Sequence, residues 1–197
     1  MKKRSIVCIV NLILLLSLVA CNNTPSNSNH DNSSDKKSET AELGSIKNPF
    51  KFNDPQVIID SVRGDDGKKY EAEVSITVED VVRGEKAYEI LEEENSTNPT
   101  AEDGYEWALV KLKVGLDKIE NEKYPITIAQ AFSFDFVSKD GQIYNTDKPV
   151  IPNDLQGDIY VGTSKEGYIV QQVKQGDDFL IGYKSLYEPG EMYFKTK

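Results

Sequence analysis

The 197-residue chain has one histidine, His30, and two cysteines, Cys8 and Cys21. All three precede the part that reads as folded. A fold without these residue types has no histidine acid–base chemistry, no cysteine nucleophile, no disulfide and no ordinary zinc site. Basic residues are also scarce: 23 Lys and Arg stand against 33 Asp and Glu. Residues 45–197 hold 29 of those acids and 18 of the bases, a net charge of −11. Nucleic acid and anionic lipid headgroups repel such a surface, so no nucleic-acid partner is expected, and cationic partners are steered toward it.

What is present at the N-terminus is an address. Met1-Lys2-Lys3-Arg4 is a positive stretch, and Ile6 to Val19 is apolar at twelve of fourteen positions. That core is shorter than the ~20 residues of a membrane span and has the layout of a secretory signal. It ends Leu18-Val19-Ala20-Cys21, which resembles the lipobox of bacterial lipoproteins. The resemblance implies cleavage before Cys21 and a diacylglycerol on its thiol. Two acyl chains, at ~0.8 kcal/mol per buried CH₂, hold where one exchanges. Residues 1–20 are thus expected to be a cleaved signal peptide, and residues 21–44 the lipidated cysteine with an Asn- and Ser-rich linker. The linker buries too little to offset its ordering entropy. As a coil of ~22 residues it spans roughly 25–28 Å. His30 within it is read as a spacer residue.

From residue 45 the dominant period is two. Lys69 to Val78 reads KYEAEVSITV, with Tyr70, Ala72, Val74, Ile76 and Val78 on one face and Lys69, Glu71, Glu73, Ser75 and Thr77 on the other. That is a strand with one wet side. Tyr105 to Leu116 alternates likewise, but Tyr105, Trp107 and Leu109 make its first half apolar on both faces, so a covering segment is predicted there. Ala131 to Val137 reads as a strand with Phe132, Phe134 and Phe136 on one side, and Asp140-Gly141 as its hairpin turn. Further strands are expected at Gln56–Val62, Tyr168–Val173, Phe179–Tyr183 and Glu191–Lys195, the last two as a C-terminal edge pair. Gly84 to Asn95 instead spaces Ala87, Ile90 and Leu91 as a helical stripe. Its acids at 92–94 oppose the macrodipole, so its end is expected to fray.

Seven to nine short strands and one short helix predict an all-β sandwich of immunoglobulin-like type. Gly44 with Asn48-Pro49, Arg83-Gly84 with Ala87, Pro99 and Gly104-Tyr105-Glu106-Trp107 are its first landmarks. Phe134, Phe136, Asp140-Gly141, Tyr144, Glu166-Gly167-Tyr168 and Phe194 complete them. In these the chain resembles the immunoglobulin-like extracellular lipoproteins of Gram-positive bacteria, whose domains are of the immunoprotective-antigen type. The resemblance implies fold and placement on the outer face of the cell membrane, and brings no activity or ligand. Gln171 and Gln172 depart from it, in a strand more apolar elsewhere in the family.

Carboxylates are the only abundant acid–base groups left. Glu71 and Glu73 have a spacing compatible with glycoside hydrolysis, but they sit on the wet face and are read as solvated surface. Asp65-Asp66-Gly67, Glu79-Asp80, Asp154 with Asp158, and Asp177-Asp178 are acidic loops in which calcium is the alternative to turn chemistry. Ser138-Lys139 and Ser164-Lys165 are adjacent pairs whose side chains diverge, with no nucleophile elbow around them. Trp107 is expected in the core. Tyr160, Tyr183, Tyr187 and Tyr193 are candidates for an exposed cluster. No catalytic residue, metal site or cofactor is assigned; Cys21 is the one assigned site, as the lipid attachment.

The expectation is a non-enzymatic surface lipoprotein, bound to membrane lipid through Cys21 and serving as a binding or accessory module for another cell-envelope protein. The alternative is a small-ligand or cation-binding lipoprotein. Cys21→Ala is expected to move the protein from the membrane pellet to the soluble fraction without shifting the melting temperature of residues 45–197. Retention in the pellet would mean an uncleaved anchor.

Overall fold

A computed structural model describes residues 41–146 and 148–197. The signal peptide, Cys8, Cys21, His30 and most of the linker lie outside the described residues. The order is β1 (Gln56–Arg63), β2 (Lys69–Arg83), α1 (Glu85–Glu94), β3 (Tyr105–Ile119), β4 (Ile126–Ala129), α2 (Gln130–Ser133) and β5 (Phe134–Val137). It continues with β6 (Ile143–Tyr144), β7 (Gln156–Ile159), β8 (Thr163–Lys174), β9 (Leu180–Lys184) and β10 (Glu191–Lys195). Among the described residues no helix is long and apolar enough to cross a membrane.

Two antiparallel sheets run β1-β2-β3-β8 and β10-β9-β5-β6, and β4 pairs with β7 in a separate ribbon. One buried cluster draws Val74, Ile76, Leu112 and Val114 from the first sheet and Phe134, Phe136, Ile181 and Phe194 from the second. Ile128 and Ile159 join it from the ribbon. The protein is therefore an all-β sandwich, each strand burying alternate residues between the layers. At ~1.5–3 kcal/mol per fully buried large apolar side chain, this shared core is the main stabilising term.

The predicted cover over the start of β3 is α1. Ala87 and Leu91 pack with Trp107, Leu109 and Val170 on the far side of the first sheet. Trp107 is buried, and its indole N–H donates to the Pro99 carbonyl at 2.9 Å. A bulge between Val78 and Asp80 reverses the facing of β2. Val81 therefore joins the inter-sheet core while Val82 faces the helix. Gly84 opens the helix at φ 66° and donates its N–H to the Trp107 carbonyl at 2.9 Å. A side chain there would be strained. The helix end does not fray: Asn98 donates to the Leu91 carbonyl at 2.7 Å, and its other bonds reach the backbone of Val150. A side-chain donor at the last turn outweighs the unfavourable acids.

The strand expected over Ala131–Val137 is shorter. Residues 130–133 form a helical turn, and Phe132 is 64% exposed rather than in line with Phe134 and Phe136. This turn carries the chain from the ribbon into the second sheet. The β5–β6 hairpin closes at Asp140-Gly141, where Gly141 has φ 81°. The C-terminal pair forms, but only β10 is an edge, since β9 lies between β10 and β5.

Sheet edges are terminated by side chains and loops. Along β8, Asn153 accepts from Tyr168 N–H at 2.9 Å, and Leu155 N–H donates to the Tyr168 carbonyl at 3.0 Å. Gly167 admits this segment, because a Cβ there would lie 2.6 Å from the Asn153 oxygen. Gln130 then acts as a one-residue strand. Its amide donates to the Val170 carbonyl at 2.7 Å and accepts from Val170 N–H at 3.1 Å. Gln171 and Gln172 are buried, and each bonds a loop: Gln171 with Thr146 and Tyr144, Gln172 with Glu102 N–H at 2.9 Å. Their burial is compatible with polarity because both amide oxygens and the Gln171 amide nitrogen are hydrogen-bonded. Along β10, the Phe50 N–H donates to the Tyr193 carbonyl at 2.8 Å, and the Phe50 carbonyl accepts from the Lys195 N–H at 2.9 Å.

Gln130→Leu keeps an apolar side chain in place but orphans a buried N–H and a buried C=O. At ~1–3 kcal/mol for each unsatisfied group, the loss is expected to be at least about 2 kcal/mol. A urea midpoint lowered at unchanged slope checks this; an unchanged midpoint would mean that water replaces the amide.

Candidate functional site

A cleft of about 230 Å³ opens between the end of β1, the outer side of β4 and the 184–187 segment. Asp60 lies at its base. It takes the core-facing position between Ile58 and Val62 and is 3% exposed. A buried carboxylate is costly unless paired or hydrogen-bonded. Among the described residues Asp60 forms no ion pair. It accepts from the Ser61 N–H at 2.6 Å and from the hydroxyls of Tyr183 and Ser185. Burial, then the Asp60 charge, pushes the Tyr183 phenol far above its ordinary value of 10.0.

Ser185 also organises the rim. Its oxygen accepts from Tyr187 N–H at 3.0 Å and Glu188 N–H at 2.9 Å, a local turn. Glu188 in turn pairs with Lys69 at 2.8 Å and accepts from Ser61, and these partners hold its carboxyl below the ordinary 4.5. Arg63 lies 6.0 Å from the centre of the Tyr187 ring. On the opposite rim Tyr124 stacks on Tyr70 at 5.1 Å. Tyr124 also donates to Asp65, whose carboxyl is lowered first by Lys123 at 2.7 Å and then by Tyr124.

The cleft is smaller than the usual ~300–1,000 Å³ of small-molecule sites. Its hydroxyls are committed to carboxylates: Tyr183 and Ser185 donate to Asp60, Ser61 to Glu188, Tyr124 to Asp65 and Thr127 to Asp158. A larger cavity, about 570 Å³, is lined by Phe134, Phe136, Tyr144, Gln171, Lys148 and Lys184, the last of which also lines the first cleft. Lys184 meets Asp135 at 2.7 Å. Desolvation lowers the Lys148 amine below its ordinary 10.5.

The sequence candidates are dispersed. Glu73 is paired with Lys118 at 2.9 Å and Glu71 is exposed, both on the wet face. Asp66 accepts from Tyr70, Glu79 meets Lys111 at 2.9 Å, Asp158 accepts from Thr127 at 2.6 Å, and Asp178 pairs with Lys197. Among the described residues no three His, Cys, Asp or Glu side chains converge as a metal site. Ser138 accepts from Gln142 N–H at 3.1 Å inside the hairpin, and Lys165 donates to the Gln156 carbonyl at 3.1 Å. The four tyrosines form no common exposed cluster: Tyr183 is core, Tyr193 bonds Glu191, and Tyr160 and Tyr187 are exposed. The sequence reading passes over Asp60 and Gln130, although an Asp between Ile58 and Val62 on an apolar face is a visible signal for the first.

Compared with known proteins, the chain matches no family model, no curated protein and no solved structure.

Above pH 10 the unfolded chain loses the Tyr183 proton while the fold retains it, so the folded state binds more protons and stability falls as pH rises. Tyr144 and Tyr193, each pushed up to about 12, add to the same fall. Tyr183→Phe is therefore expected to flatten part of this alkaline decline. At neutral pH it is expected to cost roughly 1.5–3 kcal/mol for the lost bond to a carboxylate. Urea unfolding of both proteins on either side of the tyrosine range checks this; equal slopes would mean that Tyr183 titrates normally.

Proposed function

We propose that this protein is a non-enzymatic, immunoglobulin-like surface lipoprotein, held at the extracellular face of the cell membrane through Cys21. Its task is to bind or assist another cell-envelope protein. The observation that carries the reading is the rim of the small cleft. Leu186 and Tyr187 are 58% and 39% exposed there, with Tyr124 on the opposite rim. Aromatic and apolar side chains around a side-chain-sized recess are what protein interfaces use as anchors. The net charge of −11 over residues 45–197 selects a partner with a basic face and speeds encounter with it. A short linker keeps the domain within reach of neighbours on the same membrane.

A second reading, a small-ligand lipoprotein, is favoured by the 570 Å³ cavity, whose size falls in the ligand range. It predicts a melting shift that follows RT ln(1 + [L]/Kd).

Crosslinking in intact cells followed by mass spectrometry separates the two. The binding reading expects one dominant envelope protein, lost when Leu186→Ala and Tyr187→Ala are combined. Capture of nothing above background, together with a ligand-induced melting shift, would favour the second.

A further inference from the structure

We propose that β1 pairs edge to edge with β1 of a second copy of this chain, antiparallel, with Val57 opposite Ile59 of the other copy. The turn after β1 fixes which groups face outward. Gly64 N–H donates to the Lys68 carbonyl at 2.9 Å, so the even-numbered residues of β1 bond to β2. The N–H and C=O groups of Val57, Ile59 and Ser61 therefore point away from the sheet. The Ser61 N–H is occupied by Asp60 at 2.6 Å. Pro55, two residues before Val57, has no N–H. Among the described residues, the outward groups of Val57 and Ile59 have no partner.

These residues are also exposed, at 57% and 56%, although they are Val and Ile. The other outer strands of the two four-stranded sheets lack this combination. β8 and β10 are covered, and β6 is two residues long. Natural sheets blunt their edges with charge, proline or cover. Here Pro55 and the Asp60–Ser61 bond mark the two ends of the free stretch, and its centre is left apolar.

A second copy fits this edge better than an unrelated strand. In the stated register, Val57 and Ile59 of each copy exchange all four of their outward groups. Pairing then stops where Pro55 faces Ser61, neither of which has a free N–H. A longer foreign strand would set its own acceptors against those two positions. The four apolar side chains gather at the centre of the wet face, cross-strand neighbours of the kind that stabilise sheets. At the two ends of the strand the local charges are complementary. Asp54 precedes the strand and Arg63 ends it, both exposed, and the antiparallel arrangement sets each near its opposite.

Val57→Cys and Ile59→Cys versions of the full chain, produced together and mildly oxidised, test the register. Directly opposed residues stand about 5.5 Å apart at Cα, within disulfide reach, whereas 57–57 and 59–59 are diagonal at ~7–8 Å. The mixed 57–59 disulfide, identified by peptide mass, is expected to exceed either like pair several-fold. Equal yields of all three, or none, would overturn the proposal. Sedimentation of the full chain in detergent is expected to show a dimer that Ile59→Lys abolishes at an unchanged melting temperature. A chain monomeric with or without Ile59→Lys, but losing a captured envelope protein in that variant, would assign the edge to a foreign strand instead. The Leu186 and Tyr187 substitutions leave the 57–59 disulfide unaffected, so this proposal and the binding function fail separately.

Discussion

Two open sheets have outer strands, and the backbone groups along those strands must be satisfied or left to water. Much of this molecule answers to that constraint. The Gln130 amide stands in for a strand beside Val170, the 153–155 segment runs along Tyr168, and Gln171 and Gln172 tie down the loops that close the same side. Residues 44–50 do the same for β10, with Tyr193 N–H donating to the Gly44 carbonyl at 2.7 Å. The polar residues that look out of place in apolar strands are the means by which the sandwich ends. β1 is the exception, and its exposed Val57 and Ile59 set it apart from the covered edges.

Buried charge follows a related economy. Asp60 sits in the core wall and accepts from three neutral donors. The same carboxylate fixes Tyr183, on β9, and Ser185, in the loop after it, so it joins the end of β1 to the segment that carries Leu186 and Tyr187. A second junction is Arg83, which bonds Glu106 at 2.6 Å and the Asp177 carbonyl at 2.8 Å while its guanidinium lies 5.1 Å from the Phe179 ring. Both groups link layers that apolar packing alone would allow to slide.

Alternation made β2 and β3 legible, because a period of two survives in strands with one wet face. The double-sided apolar start of β3 called for a covering segment without saying which, and α1 is that segment. What escaped was whatever a local pattern does not encode. β7 reads Gln-Gly-Asp-Ile and is a strand only because β4 lies beside it. Residues 131–133 alternate like a strand, yet Gln130 turns the chain there to reach Val170, forty positions away. The cleft was equally hidden. Its parts come from β1, β4 and the turn after β9, and no spacing in the chain announces that they meet.

The placement of β8 bears on how the molecule assembles. β3 holds more buried residues than any other strand, yet the neighbour that completes its pairing begins at Thr163, long after β3 ends at Ile119. Until that late segment arrives, β3 presents an apolar edge with nothing beside it. Such distant pairings are slow to close and leave sticky intermediates in the meantime. Completion of the first sheet therefore waits for the segment that begins at Thr163. Trp107 sits where β3, α1 and β8 converge, so the protein's single indole is positioned to mark that step.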